Sequence, residues 1–267
     1  MKIEPNTPSN TLLYSFSNLD FWLWSRQLRS ALVQRSPHII LFLLFFWQLN
    51  AFADSVSVTP AVDLTAIVES ALKNLDKTDL EDDWYFTMEV VEGDELRVIH
   101  SDPYRDKYKR RQLISVNGLL PDEDSTEEFH DAEVERVDAL DPEATGYSYM
   151  VDVQTLQLLK AEDGFASFSF VPKVKALEGA RDQLRGVLVL NLDSRQVDQL
   201  EITNSGTLSP AFSVTVDTYR MTLRFHQQYG ENLLSKLESH AAGKAGFVKS
   251  FESLVEISFS DYKRAER

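Results

Sequence analysis

Histidine is the side chain best suited to proton transfer and metal ligation near neutral pH, so the five histidines of this chain are the first place to look for chemistry. His38 lies beside an apolar N-terminal run. His100, His130, His226 and His240 follow; none is four residues from another, and no His-Glu-x-x-His pattern occurs. Oxygen ligands crowd around one of them. Glu127, Glu128, His130, Asp131 and Glu133 include enough carboxylates to hold a divalent cation. The competing reading is an exposed acidic helix with an incidental histidine, and the missing ligand spacing favours it. No metal and no cofactor is therefore expected. Cysteine is absent, which removes disulfides, thiolate metal sites, a catalytic thiol and a lipid-bearing Cys anchor. There is no Gly-x-Ser-x-Gly elbow, phosphate-cradling glycine loop or dinucleotide fingerprint. Carboxylates abound, so an acid–base pair for hydrolysis stays open, but no spacing marks one out. A non-catalytic protein is the expectation.

Two other sets of residues could bind rather than react. Tyr104-Arg105-Asp106-Lys107-Tyr108-Lys109-Arg110-Arg111 is a basic, aromatic run in an acidic chain. Tyr104, Lys107, Lys109, Arg110 and Arg111 could dock an acidic envelope partner or lipid head groups, since local charge dominates within about one Debye length. The same residues suit a solvated edge strand, where Lys and Arg discourage unwanted pairing. The second set is apolar: Trp84, Phe86 and Met88 alternate, as do Phe168 and Phe170, and then Val214 and Val216, and Met221, Leu223 and Phe225. On the inside of a curved sheet these would either fill a core or line a cavity for a hydrophobic ligand.

The elements that position these residues change period along the chain. Leu64, Ile67, Val68, Ala71, Leu72 and Leu75 recur at three- and four-residue steps behind Asp63 as a candidate cap, which predicts an amphipathic helix. From Trp84 the period becomes two. Glu92-Gly93-Asp94-Glu95 reads as a hairpin connection, and a strand over 111–116 is closed by the Asn117-Gly118 turn. The acidic insert over 121–141 has sparse apolar points and predicts a solvated helix. Extended segments follow over 147–153, 157–161, 165–171, 184–192, 197–203 and 212–227. Within the last, Phe212, Val214 and Val216 occupy even positions, but Tyr219, Met221, Leu223 and Phe225 occupy odd ones. One residue of slip reverses every side chain, so a bulge is predicted near Asp217 and Thr218. A short helix or helical loop over 231–245, a last strand over 254–259 and a fraying tail from Lys263 complete the reading. The fold class is mainly β (α+β): one large curved antiparallel sheet, an incomplete barrel wrapped around one or two helices.

Composition and the N-terminus set the class of partner. Arg26, Arg29 and Arg35 precede an uncharged apolar run over 39–49 that ends at Ala51-Phe52-Ala53, the order of a secretory signal and its processing site. The run is about 11 residues, where spanning a bilayer needs about 20. A cleaved signal and a mature protein that is not integral to the membrane are expected, with 1–53 as extension and signal and 54–267 as one half-barrel domain. Of 27 basic and 42 acidic residues, four (Lys2, Arg26, Arg29, Arg35) and two (Glu4, Asp20) precede Asp54. The rest holds 23 against 40, a formal charge of −17, which repels nucleic acid and anionic membranes. The stretch Leu192-Asp193-Ser194-Arg195-Gln196-Val197-Asp198-Gln199-Leu200-Glu201-Ile202, with the order signal, helix, hairpins and long strands, resembles the periplasmic lipoprotein-carrier superfamily. That resemblance implies an unclosed barrel plugged by helices and a periplasmic protein that shelters an acyl chain, lipid or lipoprotein. An envelope interaction scaffold with a filled core is the alternative, and an exported hydrolase a third.

Overall fold

The computed structural model describes residues 64–139, 146–211, 214–245 and 249–266. The signal and its cleavage after Ala53, the cap at Asp63, the end of the acidic insert at Leu140 and Asp141, and Phe212 lie outside the described residues. Eleven strands form a single antiparallel sheet: β1 (Trp84–Glu92), β2 (Glu95–Ser101), β3 (Arg111–Val116), β4 (Gln157–Glu162), β5 (Phe165–Phe170), β6 (Leu184–Asn191), β7 (Gln196–Asn204), β8 (Leu208–Ala211), β9 (Val214–Gln228), β10 (Glu231–Ala245) and β11 (Lys249–Arg264). Their order is β3-β2-β1-β11-β10-β9-β7-β6-β5-β4, with β8 beside β9. Among the described residues β3 and β4 do not pair, so the sheet is not closed into a barrel. The first strand pairs with the last, Met88 opposite Phe259 and Val90 opposite Ile257, so β1 and β11 adjoin in the interior of the sheet.

Among the described residues three α-helices accompany it: α1 (Leu64–Leu75), α2 (Leu80–Asp83) and α3 (Glu123–Asp138). The apolar stripe of α1 buries Val68, Ala71, Leu72 and Leu75 in the same cluster as the inward residues of the sheet, and the helix packs on β7, β10 and the turn at Tyr147–Met150. Curling around α1 is what allows so many strands to share one core.

The predicted slip in β9 is present. Val216 pairs with Gly243 and Thr218 with Ala242, leaving Asp217 bulged. Gly243 is required there, because a Cβ would lie 2.0 Å from the Thr215 carbonyl oxygen. Two expectations are corrected. Residues 231–245 form a 15-residue strand, not a helix. Leu234 pairs with Phe225 and Lys236 with Arg224, so Ser235 is bulged. That extra residue turns Leu234 and Leu237 to one face and imitates helical spacing. Residues 147–153 are not a strand either: they make two 3-10 turns, Tyr147–Met150 and Val153–Thr155, with one bridge from Val151 to Pro172. The tail is held rather than frayed, since β11 runs to Arg264 and the Ala265 N–H donates to the Asp83 carbonyl at 2.8 Å.

Candidate functional site

The ten apolar residues predicted to line a cavity all point into the core. Trp84, Phe86, Met88, Phe168, Phe170, Val214, Val216, Met221, Leu223 and Phe225 are each no more than 8% exposed. The protein's own groups cover them. Tyr229 stacks on the Trp84 indole at 5.7 Å, Tyr262 meets it edge-on at 6.0 Å, and the Arg264 guanidinium lies 5.7 Å from the ring. Phe86 packs between Phe259 and Tyr262 at 6.0 and 5.8 Å, and Tyr147 meets Phe225 edge-on at 5.0 Å. The buried Tyr262 hydroxyl donates to the Leu234 carbonyl at 2.6 Å, and burial, with Tyr147 nearby, raises its pKa well above the ordinary phenol value. Phe170 fills the space beside Gly186, where a Cβ would lie 2.2 Å from the ring. These residues are buried in the structure as it stands.

The basic run is split. Residues 102–110 form a turn-rich loop between β2 and β3, and the edge strand begins only at Arg111. The loop is braced from within: Asp102 Oδ1 accepts the Tyr104 N–H and Asp106 Oδ1 the Tyr108 N–H, each at 3.0 Å. Tyr104, Arg105, Lys107 and Lys109 are exposed. Tyr104 packs edge-on against Tyr85 at 5.8 Å, and Lys107 Nζ lies 4.5 Å from the Tyr108 ring. Arg110 instead reaches Asp82 at 2.6 Å, and Arg111 is buried. These two arginines are not surface groups, because α2 and α3 close over them.

Arg111 belongs to a buried quartet that the sequence reading missed. Its guanidinium lies 2.6 Å from Glu81 Oε1 and 3.8 Å from Glu133 Oε1. Arg136 lies 3.1 Å from Glu81 and 2.8 Å from Glu133. All four are under one-tenth exposed, and two carboxylates balance two guanidinium groups. Burial opposes the charge of Glu81, but Arg136 and Arg111 outweigh it and hold the carboxyl below the usual range. The same carboxylates raise Arg136 against burial. The quartet ties α2, β3 and α3 together, and it takes Glu133 out of the acidic group once considered for a cation. Glu127, Glu128, His130 and Asp131 remain exposed on α3. The one sequence signal was Glu133 three residues before Arg136, a helical ion-pair spacing; Glu81 is distant in sequence and carried none.

Asp79 caps α2, its Oδ1 accepting the Asp82 N–H at 3.0 Å. Its Oδ2 is buried with no hydrogen-bond partner, and burial, beside Asp82, Glu81 and Asp83, pushes its carboxyl up to about 7. What the described residues offer chemically is thus a packed aromatic core, a neutral buried ion cluster and an exposed basic loop. Among them no helix is long and apolar enough to cross a membrane.

No family model and no curated protein matches the chain. Its likeness to the solved structure of an isomerase-inactive variant of GphF DH1 is 11% identity over 76% of this chain and 82% of that one, with a TM-score of 0.15, a level that carries no argument.

Proposed function

We propose that the chain is a non-catalytic interaction scaffold with a filled core, exported to a periplasm and processed after Ala53, which grips an acidic envelope partner through Tyr104, Lys107 and Lys109. The observation that carries this reading is the burial of all ten inward residues, each no more than 8% exposed, with all but Val214 in one cluster with the inner stripe of α1, which favours binding at the surface. The loop that holds the exposed lysines is braced by its own aspartates, so little ordering is lost on contact. Pull-down of the partner is expected to weaken with salt and to vanish in Lys107→Glu, Lys109→Glu. Retention at wild-type level in that variant would remove the proposal.

A carrier of acyl chains, lipid or lipoprotein is the second reading. One observation favours it: α1 lies as an amphipathic plug in the hollow of an unclosed sheet, where a chain could replace it, as the resemblance to lipoprotein carriers implies. Trp22, Trp24 and Trp47 precede Asp54, so Trp84 is the sole tryptophan of the processed chain and reports on the core. On the scaffold reading, titration of the delipidated protein with a fluorescent fatty acid gives no saturable binding and no change in Trp84 emission. Saturation with a shift in that emission would install the carrier reading instead.

A further inference from the structure

The two edges of the sheet are treated differently. At one, β3 starts in the buried quartet and α3 packs against it. At the other, among the described residues, β4 pairs only with β5. Each of the six residues of β4 is exposed. A bare edge presents a row of backbone donors and acceptors that an added strand can satisfy, and folded proteins ordinarily blunt it. β4 is short and carries a bulge: Leu158 pairs with Phe168 and Lys160 with Ser167, leaving Leu159 over. Yet its side chains do not repel. Lys160 and Glu162 pair with each other, while Leu158 and Leu159 stand 51% and 58% exposed. Leu158 and Ala161 lie opposite Phe168 and Ala166, both buried, so the apolar inner layer runs past β5 and stops uncovered at β4.

We infer that β4 is a strand-addition site, and that its occupant is an extended segment of another protein with alternate apolar residues and a basic end. The backbone of the edge selects an extended chain, and alternate apolar side chains would cover Leu158 and Ala161. The basic end follows from charge. Asp163 and Asp193 are both exposed at the end of β4, with Asp193 Oδ2 only 3.4 Å from where a Cβ on Gly164 would stand. A second copy of this chain fits less well. Two processed molecules, each of formal charge −17, repel. This surface is separate from the basic loop and goes beyond the proposed function.

The test uses a labelled peptide of about ten residues, alternating valine with threonine and ending in lysines, against the processed chain. Anisotropy is expected to show saturable binding, weakened at least about tenfold by replacing the lysines with glutamate and abolished by N-methylation of alternate amides. Hydrogen exchange should slow in residues 157–162 and not in Leu113–Val116 of the other edge. Leu158→Lys, Leu159→Lys changes only exposed side chains, so Tm should hold while affinity falls at least about tenfold. Absence of saturable binding, unchanged affinity in that variant, or protection away from β4 would overturn the inference. So would loss of binding in Lys107→Glu, Lys109→Glu, which would place the peptide on the basic loop. The loop variant's effect on partner pull-down is read independently, so either surface can fail without the other.

Discussion

A charge taken out of water stays ionised only if something replaces the water, and two carboxylates of α2 and its cap show both outcomes. Glu81 has two guanidinium groups within 3.1 Å. Asp79 has a backbone N–H and a bare oxygen. Their stability contributions therefore run in opposite directions with pH. For Asp79 the folded chain holds a proton between its ordinary value of 3.8 and about 7, where the unfolded chain has lost it. Stability falls as pH rises through that window and the full loss stands above it. Asp79→Asn keeps a capping oxygen and removes the charge, so it should raise Tm at pH 8, by roughly 1–3 kcal/mol of stability, and much less at pH 4. Equal shifts at both values would contradict this account. Glu81 is depressed instead, so its contribution is present above 4.5 and is lost as pH falls through the lower folded value. Glu81→Gln leaves two buried arginines to share Glu133, and urea melts at pH 7 should show a loss of about 3–5 kcal/mol.

At the scale of elements, bulges decide which residues can share a face. The bulge at Asp217 was legible, because apolar parity changes on either side of it and only a slipped residue reconciles even with odd positions. The bulge at Ser235 was not. Leucines at 233, 234 and 237 have the spacing of a helical turn, and local pattern cannot tell a helix from a strand with an inserted residue. What decides is pairing: β10 lies between β9 and β11, and its backbone groups are satisfied there. The close approach at the first bulge gives a direct check. Gly243→Ala places a methyl against the Thr215 carbonyl, which neither strand can relieve without shifting, and should cost roughly 2–4 kcal/mol in a chemical melt. A neutral result would mean that the strands separate there. The same reasoning explains 147–153, where Tyr147, Tyr149 and Val151 alternate like a strand. Gly146, at φ 115, instead turns the chain so that Tyr147 drops onto Phe225.

For the molecule as a whole, α1 is the piece that converts an open sheet into a packed body. Leu72 on its inner stripe is 1% exposed and sits in the cluster that holds Trp84. Leu72→Ala should destabilise by about 2–5 kcal/mol, the range for a large-to-small core change, measured by thermal or urea unfolding. A cost below about 1 kcal/mol would indicate that the helix rests loosely on the sheet and would favour an exchangeable plug. In the processed chain the Trp84 emission should be blue-shifted and resistant to a soluble quencher, since the ring is 0% exposed. The two ends of the sheet complete the picture: one edge lies against a helix that a buried ion cluster secures, and the other is unpaired among the described residues.

The amino-acid order alone determined the mainly β class, the amphipathic plug, the acidic helix, most strands and the bulge at Asp217, because each is written in residues near one another. It also marked which side chains are apolar and alternate. Only the tertiary structure decided how they are buried, that Arg110 and Arg111 leave the basic run for α2 and α3, and that one sheet edge is unpaired among the described residues. Periodicity reports the face a side chain takes, whereas burial and ion pairing depend on partners that lie far away along the chain.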